Sequence, residues 1–166
     1  ELAAYQPETN PGYIWAIAGG HMSMGTYGML IREGKADLDS WVRAITEEKL
    51  HIVGFDMIGL CKFFDITQGI ATQMVVDCLK SEWGLEVSTT ALRAAVRRAF
   101  LRGLALELRQ GYRKEEYCLP AEVADNPNPH IKVPNITNAA FITELEKRVW
   151  DVFEPELAGL LPDNPS

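Results

Sequence analysis

An all-α fold is predicted by three features of the sequence. No alternation of apolar and polar residues lasts more than a few positions, so half-buried strands are not indicated. The stretch Leu92, Ala95, Val96, Ala99, Phe100, Gly103, Leu104, Leu108 keeps the i, i+3, i+4, i+7 spacing of one helical face over several turns. Cap-forming residues and glycines bracket the apolar stripes. At 166 residues the chain is expected to form a single irregular multi-helix domain over residues 1–166, long enough to bury a core.

Residues 1–12, with Pro7, Asn10, Pro11 and Gly12, form an irregular entry. From Tyr13 to Ile31 the chain is apolar but carries Gly19, Gly20, Gly25 and Gly28, with His21 and three methionines among them. Four glycines in an exposed helix would cost roughly 1 kcal/mol each relative to Ala, so close packing or a nearby ligand is the better reason for them. Asp37 is placed to cap a helix bearing Leu38, Trp41, Val42 and Ile45. Asp65 or Thr67 opens the next, whose stripe is Ile70, Ala71, Met74, Val75, Cys78 and Leu79, and Gly84 stops it. Cys78, within that stripe, reads as a small core residue.

Ser88 starts the long helix and Gly111 closes it. Arg93, Arg97 and Arg109 fall off its apolar face and read as a solvated or interdomain surface. Residues 112–137, with Pro120, Pro127, Pro129 and Pro134, read as a long Pro-rich loop. A structureless connection of that length suits one lying against something else, and Cys118 within it reads as a surface thiol. Phe141, Leu145, Val149 and Val152 mark a last helix expected to end near Pro155, with 155–166 a frayed tail.

Composition narrows the function. A formal charge of −7 argues against nucleic acid or an anionic membrane as partner, because both need clustered cations. No apolar run approaches the roughly 20 residues that span a bilayer. Glu1-Leu2-Ala3-Ala4 lacks an initiator Met and a signal-peptide layout, and reads as a cut edge. Cys61, Cys78 and Cys118 are odd in number and form no C-x-x-C, so neither a disulfide framework nor a self-contained metal site is indicated. A reducing cytoplasm fits best.

The chemistry-bearing stretch is Asp56-Met57-Ile58-Gly59-Leu60-Cys61, directly after the apolar run Leu50 to Phe55. An ionised Asp accepts two N–H donors from a planar heterocycle. Glycine lets backbone approach a ligand and take dihedrals closed to other residues. A thiolate is a soft ligand for an iron–sulfur cluster or zinc. The plainer readings are a helix-end carboxylate for Asp56, a buried free thiol for Cys61, and a capping or packed imidazole for His21.

Three pieces in order give the chain its resemblance to the C-terminal region of the tungsten-containing aldehyde:ferredoxin oxidoreductase family. They are Gly19-Gly20-His21, then Asp56-x-x-Gly59-Leu60-Cys61 with Lys62-Phe63, then Arg109-Gln110-Gly111-Tyr112 followed by Glu115-Glu116 and Leu119-Pro120. The similarity covers residues 1 to 120 and fades afterwards. It implies the C-terminal helical domain of a larger enzyme that oxidises aldehydes to carboxylic acids and passes electrons to ferredoxin. By that resemblance Asp56 binds the amino-pyrimidine edge of a tungsten-bound pterin, and Gly59 and Leu60 bring backbone to the same ring. Cys61 becomes the fourth thiolate of a [4Fe–4S] cluster whose other three cysteines lie in upstream domains of the same enzyme. His21 is the candidate for proton transfer beside the metal. The fragment alone is expected to hold neither tungsten-bis-pterin nor cluster, and to be inactive. Leu104 and Glu107 stand where the family usually has Arg and Asn, and Ala121-Glu122 where an Arg commonly follows Leu-Pro. These departures put a pocket role for the long helix in doubt. The alternative reading is a non-catalytic helical protein-interaction module. A weaker third, a helical small-molecule-binding regulator, has no DNA-reading helix behind it.

Overall fold

A computed structural model describes residues 37–48, 50–59, 72–118 and 138–160. Every regular element among them is helical, as the missing strand alternation predicts. Helix α1 (Leu38–Arg43) is capped by Asp37, whose carboxylate accepts from the Ser40 amide and the Ser40 hydroxyl, each at 2.9 Å. Those bonds hold the Asp37 carboxyl below its ordinary range.

α1 runs into a π-helical turn, Ala44–Glu48. Here the Thr46 hydroxyl donates back to the Val42 carbonyl at 2.9 Å, a bond that competes with regular helix geometry. Helix α2 (Leu50–Met57) follows. Helix α3 (Thr72–Trp83) is stopped by Gly84 at φ +66°. Helix α4 (Thr89–Arg109) begins at Ser88, whose side chain accepts from the Ala91 amide at 3.1 Å. It ends where Gly111 takes φ +102° and the Tyr112 amide reaches back to the Glu107 carbonyl at 3.2 Å. A single 3₁₀ turn (Lys114–Glu116) precedes Tyr117, and helix α5 (Ala139–Leu157) starts from an Asn138 cap.

α4 is the axis of the domain, with α2, α3 and α5 packed against it and α1 against α5. Trp41, Ile45, Phe100, Leu104, Leu145, Val149 and Phe153 are fully buried together, and the Phe100 and Phe153 rings meet at 5.4 Å. α2 reaches α4 through Gly54, where a Cβ would lie 3.3 Å from Val96 Cγ2.

Cys78 is exposed rather than in the core. The inward line of α3 is Thr72, Val75, Val76 and Leu79, with Val76 buried, while Met74 and Cys78 share the neighbouring outer line. The last helix ends at Leu157, near Pro155 as expected, and the chain turns on to Leu160. A proline in the last turn removes only one amide donor, and buried Leu157 together with the ion pair at Glu156 carries the helix on. Residues 155–160 are therefore helix and turn, not frayed tail, and the Leu160 carbonyl accepts from Arg109 at 2.5 Å. Arg93 and Arg109 are exposed, as expected of a solvated face, and Arg97 is half-buried; Arg97 and Arg109 also tie α4 to the C-terminal segment. Tyr117, expected in an open loop, is a core residue with its ring edge-on to Trp150 at 5.4 Å. Cys118 is exposed, as expected.

Candidate functional site

The described part of the motif occupies the end of α2. Asp56 is the penultimate residue of the helix, and Met57 is its last. The Ile58 amide closes the turn onto the carbonyls of Gly54 and Phe55, at 3.3 and 3.2 Å. Gly59 then takes φ +72°, the left-handed conformation that ends a helix and that L side chains rarely adopt. It is exposed, and among the described residues nothing lies within 4 Å of the place a Cβ would occupy. Packing therefore gives no reason for a glycine here; the backbone turn does, and the same turn leaves a bare, approachable peptide edge. Met57 and Ile58 are exposed beside it.

The structure brings Asp56 and Gly59 to one helix terminus. His21, Leu60 and Cys61 lie outside the described residues, as do Asp65 and Thr67 and the Gly-rich stretch around His21. Among the described residues no group of three or more His, Cys, Asp or Glu side chains could hold a metal ion. No helix of the described residues is long and apolar enough to cross a membrane.

Gly59 is the described residue of the motif at which a ligand could approach the backbone, since no described atom lies within 4 Å of its Cβ position. An iron–sulfur cluster asks for four thiolates, so Cys61 could serve only as one of several donors.

Beside this terminus runs a groove of about 810 Å³ between α2, α3 and α4. Leu50, Gly54, Phe55 and Ile58 form one wall, Thr72 and Val75 the second, and α4 from Thr90 to Arg97 the third, with Glu47 at one end.

Two polar arrangements escaped the sequence reading. Buried Glu107 accepts a hydrogen bond from the Tyr117 hydroxyl at 2.8 Å. Burial first, then that bond to a carboxylate, pushes the phenol well above its ordinary range. Glu107, at a position where the resembling family carries Asn, is thereby a core-bonding group of this domain. Arg97 grips Glu156 with Nε at 2.9 and 3.0 Å from its two oxygens, and Nη1 donates to the Thr46 carbonyl at 2.7 Å. The Arg97 hydrogen bond holds the Glu156 carboxyl below its ordinary value. Desolvation first, with Glu146 nearby, raises the Cys118 thiol, which disfavours the reactive thiolate there.

No protein-family model matches this chain, and no curated protein or solved structure does either.

Proposed function

We propose that this chain is the cofactor-facing helical domain of a tungstopterin oxidoreductase that converts aldehydes to carboxylic acids and delivers electrons to ferredoxin. The observation that carries the reading is the end of α2, where Asp56 is followed by a left-handed, exposed Gly59 with no described atom within 4 Å of its Cβ position. Asp56 accepts N–H donors from the pterin edge, and the Gly59–Leu60 backbone lies against the ring. Cys61 supplies one thiolate to a [4Fe–4S] cluster completed by cysteines outside this chain. His21 holds or releases the proton that accompanies oxidation of the aldehyde. When bound, the tungsten-bis-pterin supplies two-electron redox chemistry at the aldehyde carbon, and the cluster supplies the path outward.

Exposed Met57 and Ile58, at 50% and 37%, support a terminus that meets another protein surface. The test is Cys61→Ser in the intact, anaerobically produced polypeptide. The reading expects loss of the cluster's electron paramagnetic signal and of ferredoxin reduction with the helical fold kept. An unchanged signal and unchanged rate would refute the ligand assignment.

A second reading, a non-catalytic interaction module, is favoured by a different observation. Trp83, Leu85 and Met74 are 70%, 51% and 52% exposed, away from the motif on α3 and the turn after it. A partner protein captured equally well by the chain with Asp56→Ala and Cys61→Ser, in a parent that binds neither tungsten nor iron, would establish it.

A further inference from the structure

The groove between α2, α3 and α4 shares Ile58 with the motif's helix end, but its binding chemistry lies on other lining residues and does not rest on the oxidoreductase reading. Its volume of about 810 Å³ lies within the roughly 300–1,000 Å³ of small-molecule sites, which join apolar walls to a few polar groups. Leu50, Phe55 and Val96 among its lining residues are buried apolar side chains, 7%, 2% and 5% exposed.

The charges on its α4 wall are not equivalent. Arg97 is committed to Glu156 and to the Thr46 carbonyl. Arg93 has no ion pair or hydrogen bond among the described residues. It stands four residues earlier on α4, about 6 Å along the axis, three residues from the Thr90 hydroxyl and so on the same face. Glu47 follows Thr46, whose carbonyl Arg97 holds, and so belongs to the Arg97 end. That end carries two carboxylates, Glu47 and Glu156, against one guanidinium. The polarity along the groove is thus graded, with the uncommitted cation at the Thr90 end.

We propose that this groove binds an amphipathic organic carboxylate, with the anion on Arg93 and Thr90 and the apolar body along Leu50, Phe55 and Val96. The test is isothermal titration of the chain with decanoate below its micelle concentration, beside decyltrimethylammonium, which has the same tail and the opposite head. Decanoate is expected to bind at a single site about tenfold more tightly than the ammonium, as one charge-assisted hydrogen bond predicts. Arg93→Gln removes that advantage and leaves the ammonium unchanged. Arg102→Gln, an exposed arginine of the same helix outside the groove, leaves decanoate binding unchanged. Val75→Trp fills the groove and abolishes it. Equal affinity for the two heads, equal losses in the Arg93 and Arg102 variants, full binding in Val75→Trp, or many weak sites would each overturn the proposal. So would displacement of decanoate by self-association of the chain, which would make a second copy the occupant.

Discussion

Arg97 and Glu156 meet across 59 residues of sequence, with the guanidinium Nε 2.9 and 3.0 Å from the two carboxylate oxygens. The same guanidinium caps the Thr46 carbonyl of the π-helical turn and lies 5.9 Å from the centre of the Phe153 ring. One side chain thus joins α4, the π turn and the last turn of α5. Glu156→Gln is expected to cost about 1 kcal/mol, the upper end for an exposed pair, because the guanidinium reaches both carboxylate oxygens.

The pH dependence has a definite sign. The Glu156 carboxyl is lowered in the folded state from its ordinary 4.5, so its contribution is complete above that value. It is lost as pH falls through the folded-state value, where the unfolded chain has already taken its proton. Urea unfolding of the wild type and Glu156→Gln should therefore differ at pH 7 and converge in acid. A difference that stays constant as the pH falls from 7 into acid would contradict this.

Tyr117→Phe tests the Glu107 bond. Removing the phenol withdraws the 2.8 Å donor from a buried carboxylate, and the expected loss is about 1–3 kcal/mol in chemical denaturation. In a spectrophotometric titration the wild type should retain one phenol protonated after ordinary tyrosines, near pH ~10, have ionised. Because the folded value is raised, the bond's contribution is whole below the unfolded value and is lost only as pH rises past it.

Gly54 sets the distance between α2 and α4. Gly54→Leu should destabilise the domain by about 1–3 kcal/mol through overpacking against Val96. Val96→Ala in the same chain should recover part of that loss, measured as a double-mutant cycle. Strict additivity would show that the two residues do not meet.

Much of the helical frame was legible because caps and stops are local. Asp37, Ser88, Gly84 and Gly111 each act through bonds to residues within one turn, so residue type and spacing suffice. The buried face of α4 was only half legible. Leu101, Ala105 and Glu107 are buried besides the line Val96, Phe100, Leu104, because α4 is covered from more than one side and a single stripe underestimates it. Arg97 and Tyr117 could not be placed, since their partners are ten or more residues away and spacing carries no sign of them. Pro155 marks the last turn of the helix, where its missing amide matters little, and the order of residues 155–160 comes from tertiary contacts of Leu157 and Glu156 that spacing does not show. Of the candidate site, the glycine's left-handed turn was readable from its residue type, whereas His21, Leu60 and Cys61 lie outside the described residues.

The apolar surface predicts self-association. With Trp83 70% exposed and Leu85 and Met74 about half exposed, the chain should sediment with a concentration-dependent mass, and Trp83→Glu should shift it toward monomer. A clean monomer at all concentrations would remove that expectation.

The central claim is that Cys61 and Asp56 belong to a tungsten–pterin and iron–sulfur centre. Elemental analysis of the intact polypeptide, produced and purified without oxygen, tests it most directly. The account predicts tungsten together with about four iron atoms per chain; a well-folded polypeptide containing neither metal would contradict it.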